Sequence, residues 1–389
     1  MPRVRCPKCN KVETILRSGF IRNKQRYYCK ECNYNFTLHH VDRKANNKLK
    51  KSYQVTIIDI AKAMGISPST VSRALHDHPD IGSKTKQEVK ELARTMEYRP
   101  NLLARSFASN HTGTIGVIIP NLEATFFSSM LGGIQQAASL AGYKVIMCQS
   151  NEDHKTEMGN VNVLMDNQVE GLFICHSIEN KSYDQIKLFA KKNTPIIHFY
   201  RVCMETQTSK VIAKNKDGAE EITSHLIDQG CSRIAIILGP DHLLISQERL
   251  HGYLAVLKKK GLPINEELIA HTDFKRDSVI KVVDRWLKLK NRPEAIFCIS
   301  DRSAIYTLKY LKSKNIRVPH DISVAGFGND LMGELIEPGL TTYDVKTSQI
   351  GKAAMQLFIE QITSNTEFKP RIKLINGNLI IRDSTRRKP

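Results

Sequence analysis

From Thr114 onward, short apolar runs alternate with amphipathic stretches. TIGVIIP (114–120), YKVIMCQ (143–149), GLFICH (171–176), PIIHF (195–199), RIAIIL (233–238), AIFCIS (295–300) and ISVAGF (322–327) read as strands. Between them 127–141, 155–167, 217–229, 246–260 and 302–315 carry the spacing of helices. Such alternation calls for parallel sheets covered on both faces by helices, with ligands bound off the strand C-termini. No phosphate loop, dinucleotide fingerprint or nucleophile elbow interrupts the pattern, so the segment is expected to bind rather than to catalyse.

The front of the chain has a different rhythm. Thr56 precedes an amphipathic run of Ile57, Ile58, Ile60, Ala61 and Met64, with Asp59 in the first turn, and Gly65 ends the helix. Ser67 caps a second helix with Pro68 at its first position. Ser69, Thr70, Ser72 and Arg73 then face away from the apolar Val71, Ala74 and Leu75. Two short helices around a glycine-containing turn form a helix-turn-helix, and a third, about Lys84 to Glu97, covers the pair through Val89, Leu92, Ala93 and Met96. Small hydroxyls and one arginine suit the major groove, where hydroxyls bond phosphates or base edges and an arginine forks onto guanine.

Ahead of this head lie two CxxC pairs, Cys6/Cys9 and Cys29/Cys32, separated by 19 residues. Each pair puts two thiolates on one knuckle, and two knuckles can close a tetrahedral shell, so the spacing predicts a structural zinc site in a ribbon over 1–36. A redox CxxC pair or an iron site is the alternative. The segment holds Tyr27, Tyr28 and Phe36 but few aliphatics, so metal ligation would supply its folding energy. His39 and His40 read as part of a solvated basic linker, 37–54, because four thiolates already fill the shell. The remaining cysteines, Cys148, Cys175, Cys203, Cys231 and Cys298, are scattered and read as reduced thiols, mainly buried.

Composition changes the picture in one respect. The 389 residues are 41% hydrophobic and 25% charged, ordinary for a globular protein of two or three domains, but the net charge is +19. Residues 1–111 hold 22 basic and 9 acidic side chains, a net of +13. The excess therefore marks a nucleic-acid-binding front end on a nearly neutral body. There is no long apolar stretch and no secretory h-region, which predicts a cytoplasmic protein without membrane contact.

The segment from Val55 to Phe107, VTIIDIAKAMGISPSTVSRALHDHPDIGSKTKQEVKELARTMEYRPNLLARSF, resembles the DNA-binding head of the LacI/GalR repressor family without a gap. The resemblance divides the chain into a helix-turn-helix domain (55–100), a hinge helix (101–111) and a two-lobed effector-binding and dimerisation domain (112–386), the last similar to type I periplasmic sugar-binding proteins. It implies DNA contacts by Thr56, Ser67, Pro68, Ser69, Thr70, Ser72 and Arg73, and in the minor groove by Asn101, Arg105 and Phe107. Pro68 reads by van der Waals contact alone. Phe107, where leucine is usual, acts either as a wedge between bases or by packing on the body. The chain is expected to cross between lobes near 213, 344 and 370.

Carried over residue by residue, the resemblance implies an effector cleft formed by Phe126, Phe127, Tyr200, Lys214, Arg249, Asp301 and Gly328. Ala124-Thr125 replaces the usual Asn-Pro. Tyr200, Lys214 and Gly328 stand where the family has aspartates. Losing carboxylates while keeping Arg249 and adding Lys214 predicts an anionic effector such as a sugar acid or sugar phosphate. Alternatively, Asp241, Asn151 or Asn329 hold a neutral sugar. The resemblance thus implies a regulator, with repression as the default sign, acting as a homodimer on a pseudo-palindromic operator.

The N-terminal segment GFIRNKQRYYCKECNYNF is similar to the zinc ribbon of insertion-sequence transposition proteins. The rival reading is therefore a transposition or recombination accessory protein. Whether the ribbon meets DNA, through Arg17, Arg22, Lys24 and Arg26, or a protein partner stays open at this point.

Overall fold

The computed structural model describes residues 4–9, 11–21, 24–37, 55–98, 111–123, 125–179, 183–190, 194–364 and 367–387. The chain divides after residue 102 into two compact units. In the first, strands β1 (Ile15–Ile21), β2 (Lys24–Cys29) and β3 (Tyr34–Thr37) form an antiparallel meander. Among its described residues the buried apolar core is Cys6, Cys29 and Phe36, flanked by Val4, Ile15 and Tyr27. That is far too little apolar surface to hold a fold by itself.

Helices α1 (Ile57–Met64), α2 (Pro68–Leu75) and α3 (Ser83–Thr95) follow. Ile60, Ala61, Val71, Ala74, Val89 and Ala93 form their shared core. Gly65 closes α1 in the left-handed conformation, φ 65°, and Pro68 starts α2 behind the Ser67 cap, so the turn geometry is set by the residues that predict it.

The second unit contains two six-stranded sheets among its described residues. The first is built from β4 (Thr114–Ile119), β5 (Lys144–Gln149), β6 (Leu172–Ile174), β7 (Ile196–Phe199), β8 (Ser209–Ala213) and β14 (Ile372–Ile375), in the order β14-β8-β7-β6-β4-β5, all parallel. The second is built from β9 (Ile234–Leu238), β10 (Ile269–His271), β11 (Ala295–Cys298), β12 (Ser323–Phe327), β13 (Thr341–Asp344) and β15 (Asn378–Ile380). Its order is β10-β9-β11-β12-β13-β15, with only β15 antiparallel. All seven apolar runs are strands.

Around these sheets lie α4 (Thr125–Leu140), α5 (His154–Asp166), α6 (Asp184–Ala190), α7 (Asn215–Asp228), α8 (Leu244–Lys259), α9 (Arg276–Leu287), α10 (Asp301–Ser313), α11 (Leu331–Leu335) and α12 (Thr347–Thr363). The chain passes between lobes after β8, after β13 and between β14 and β15. The third passage is thus near 376 rather than 370, because Ile372–Ile375 still pairs with β8. Packing of α4 on α12 needs two glycines. A Cβ on Gly133 would lie 2.3 Å from the Ser348 carbonyl oxygen, and one on Gly351 would lie 2.1 Å from that of Met130.

Of the scattered cysteines, Cys175, Cys203, Cys231 and Cys298 are buried and unpaired, as expected, and Cys148 is half-buried. No helix among the described residues is long and apolar enough to cross a membrane.

Candidate functional site

Three sites emerge. In the ribbon, the ligand atoms of Cys6, Cys9, Cys29 and Cys32 lie within 4.8 Å of one another. The Cys6–Cys32 and Cys9–Cys29 sulfur separations are 3.6 and 3.5 Å, too long for disulfides. Tetrahedral coordination with metal–sulfur bonds of about 2.3 Å would set such edges near ~3.8 Å, so the cage fits a divalent ion. The backbone N–H of Cys32 holds the Cys29 thiol down to about 6, while burial and the neighbouring thiols push Cys32 up to about 12, so without an ion the four sulfurs share protons.

On the helical head, Ser67, Pro68, Ser69 and Arg73 are exposed, while Thr70 and Ser72 are half-buried. The Ser67 Oγ accepts from the Thr70 N–H at 3.1 Å and lies 2.7 and 2.8 Å from the hydroxyls of Ser69 and Thr70. The N-terminal end of α2 therefore presents a linked hydroxyl cluster beside Arg73. Thr56 is exposed, but its hydroxyl donates to Asp59 at 2.7 Å, which fixes the start of α1. Asn101, Arg105 and Phe107 lie outside the described residues, as does Arg22.

The third site is a cavity of about 360 Å³ between the two lobes, within the range of small-molecule sites. Its walls are the first residues after the strands: Asn121 after β4, Asn151 and Glu152 after β5, Ile178 after β6, Tyr200 and Arg201 after β7, Asp273 to Arg276 after β10, Ile299 to Arg302 after β11, and Gly328 and Asp330 after β12. Several of these residues take the left-handed backbone, including Asn151 (φ 55°), Glu152 (61°), Tyr200 (59°) and Phe274 (62°). Such strain in bulky residues concentrates at binding sites. At Gly328, φ is 140°, and a Cβ would lie 3.3 Å from the Phe126 ring, so an aspartate would be strained and crowded.

Five of the seven predicted cleft residues meet here: Phe126, Phe127, Tyr200, Asp301 and Gly328. Phe126 and Tyr200 stack edge-on with centroids 4.7 Å apart. Lys214 and Arg249 do not line the cavity. Lys214 stands at the N-cap of α7 and pairs with Asp217 at 3.5 Å. Arg249 is fully buried behind the wall. Its Nε and Nη2 donate to Asn215 Oδ1 at 3.1 and 2.7 Å, its Nη1 donates to the Ile299 carbonyl, and its guanidinium lies 3.7 Å from the Phe327 ring centroid. Of the alternative polar residues only Asn151 reaches the cavity; Asp241 is 88% exposed at its side chain, and Asn329 Oδ1 accepts from Arg382.

The cavity's cations are instead Arg201, Lys275, Arg276 and Arg302. Arg201 is held by Glu152 at 2.7 Å and by the His176 carbonyl at 3.3 Å. Behind it runs a buried chain in which Glu157 meets His176 at 2.7 Å and His176 meets His198 at 2.9 Å. Burial, with His176 and Lys210 nearby, holds His198 well below the ordinary imidazole value. Lys275 pairs with Asp273 at 3.7 Å, whereas Arg276 and Arg302 are exposed in the first turns of α9 and α10. The sequence signal for Arg201 and Arg302 was their place just past an apolar run. Lys275 and Arg276 follow β10, which at three residues is too short to announce itself.

Asp301 is buried, and burial lifts its carboxyl to about 6 despite bonds from the Thr342 hydroxyl (2.6 Å) and the Asp330 N–H (2.7 Å). A carboxyl raised in the folded state binds its proton more tightly there than in the unfolded chain. Its favourable contribution is complete in acid and is lost as pH rises through about 6. Asp301→Asn is therefore expected to gain thermal stability relative to wild type between pH 5 and pH 7.5. A melting-temperature difference that stayed flat over that range would contradict the assignment.

A reading head joined to a two-lobed ligand cleft defines a DNA-binding regulator controlled by a small molecule. The model for "Periplasmic binding proteins and sugar binding domain of LacI family" matches residues 112–382, and that for "Bacterial regulatory proteins, lacI family" matches 56–101. The chain belongs to the LacI family, whose members are sequence-specific transcription regulators modulated by small-molecule effectors, and not enzymes. It is 31% identical over 334 residues to the NTD biosynthesis operon regulator NtdR of Bacillus subtilis, covering 85% of this chain and 99% of that one. It is 27% identical over 333 residues to the transcriptional repressor PurR of Vibrio vulnificus, with the same coverages. Among solved structures it is similar to the transcriptional regulator CelR in complex with cellobiose, with a TM-score of 0.62 and 25% identity over 85% of this chain and all of that one. Neither family model extends over the four-cysteine module.

Proposed function

We propose that this regulator binds a pseudo-palindromic operator as a homodimer, through Ser67, Pro68, Ser69 and Arg73 of α2 with support from Thr56, Thr70 and Ser72, and through the hinge segment holding Asn101, Arg105 and Phe107. The domain limits 1–36, 37–54, 55–100, 101–111 and 112–386 describe it best, with zinc as the structural ion of the ribbon. Dimerisation is supported by α11 in the second lobe, where Leu331, Met332 and Leu335 are 55%, 51% and 69% exposed. The ribbon's likeness to those of insertion-sequence proteins rests on its own residues and carries no part of this reading.

The effector is a sugar bearing an anionic substituent, a sugar acid or sugar phosphate, seated in the cavity between the lobes. The carrying observation is that Arg276 and Arg302 stand at the cavity wall on the first turns of α9 and α10, opposite the aromatic pair Phe126 and Tyr200. The ring packs on the aromatics, Asn121, Asn151 and Asp301 take hydroxyls, and the two arginines and helix ends take the anion. Lys214 and Arg249, the sequence-based reason for an anionic ligand, are replaced in that role. Closure on the effector would favour one lobe angle over another and so change operator affinity through differential binding.

Thermal-shift screening is expected to show stabilisation by one or more sugar acids or sugar phosphates and loss of that shift in Arg302→Ala. Stabilisation by neutral sugars alone would overturn the anionic assignment and leave the cleft itself in place.

A further inference from the structure

The four-cysteine ribbon stands outside both the helical head and the effector cleft. Nine Lys or Arg and two Asp or Glu fall within residues 1–37. A divalent ion held by four thiolates contributes a net −2, so the module keeps about +5 after metal binding. Of the two acids, Glu31 is paired with Lys11 at 2.8 Å. Arg5, Arg17 and Lys30 are exposed and Arg26 is half-buried. The strand register sets Arg17 opposite Tyr27 and Arg26 opposite Thr37, neighbouring positions of β2 that face opposite sides of the sheet. Positive charge therefore wraps the hairpin instead of forming one shaped pocket, which suits repeated phosphates more than a defined small ligand. The ribbon also exposes Leu16, Phe20 and Tyr34, but the core of a protein interface is depleted of charge, and here nine cations share the module with them.

We propose that the ribbon is a second DNA-binding module, which grips the phosphate backbone of the duplex flanking the operator. The proposal rests on the reading that α2 places the chain on DNA. Thr37 and Val55 are 18 residues apart, and a chain spans at most about 3.6 Å per residue. The ribbon's contacts must then fall within roughly 60 Å of the head, about 18 base pairs at ~3.4 Å each. Tethering raises the ribbon's local concentration to about millimolar. Sequence-independent DNA binding has dissociation constants of about 10⁻⁴ to 10⁻⁶ M at physiological salt. Even the weak end of that range is tighter than the tether requires, so the ribbon occupies flanking DNA and strengthens binding by about tenfold or more per chain. Each phosphate it neutralises steepens the salt dependence by about 0.9 in the log–log slope.

The test uses the full-length, metal-loaded protein and an operator selected by it from random duplexes. One duplex carries the operator alone and a second adds about 20 base pairs of arbitrary sequence on each side, beyond the reach estimated above. Wild type is expected to bind the longer duplex about tenfold or more tightly, with a steeper salt slope, whatever the flanking sequence. The triple variant Arg17→Gln, Arg26→Gln, Lys30→Gln is expected to bind both duplexes alike, with unchanged metal content and unchanged affinity for the short one. Equal wild-type affinity for the two duplexes, or a triple variant that keeps the advantage at unchanged metal content, would overturn the proposal and point to a protein partner. Failure of wild type to select any operator would count against the α2 reading instead.

Discussion

Replacing Arg249 with alanine is expected to destabilise the effector domain by about 3–5 kcal/mol and to lower its melting temperature by roughly 10 °C. The side chain is completely buried and bonds Asn215, at the start of α7 just past the first passage between lobes. It also bonds the carbonyl of Ile299, just past β11. Its removal would leave both acceptors buried without these donors and open a void against Phe327. Lysine would restore little, since one ammonium cannot fork between two separated carbonyl groups. Denaturant and thermal unfolding measure the effect. A loss below about 1 kcal/mol together with an abolished effector response would instead make Arg249 a ligand clamp.

Removing the metal is expected to unfold the ribbon and leave the helical head intact. Structural zinc binds with apparent free energies of about 10–16 kcal/mol in small metal-dependent modules. Among the described residues of the ribbon the buried apolar groups are two ligands and Phe36, while α1 to α3 have their own shared core. Chelation, or Cys29→Ser, should abolish amide protection over residues 6–37 and preserve it over 57–95. Elemental analysis should give one zinc per chain. Retained protection of the ribbon strands after chelation would contradict the metal's structural role.

Much of this was legible in the sequence. The seven apolar runs, the capped helices of the head and the CxxC spacing each dictate local structure through short-range physics, and each appears where the pattern puts it. What was not legible depended on long-range packing. Strands such as Ile269–His271 and Thr341–Asp344 are short and take their place from neighbours already in the sheet. Arg249 carries the spacing of a cleft residue, yet the carbonyl of Ile299 and the face of Phe327 draw it behind the wall. Lys214 follows β8 as a cleft residue would, but the chain turns there into the other lobe and leaves it on the helix cap. Among the cations that do reach the cavity, Lys275 and Arg276 stand at the start of α9, a position visible only once the three-residue β10 is seen to pair with β9.

Sequence-specific operator binding through α2 is tested most directly by genome-wide footprinting with wild type and with Ser69→Ala/Arg73→Ala. Wild type is expected to protect a small set of pseudo-palindromic sites, lost in the double variant at equal protein level and equal melting temperature. Protection spread evenly over DNA, or the same sites occupied by the double variant, would contradict it.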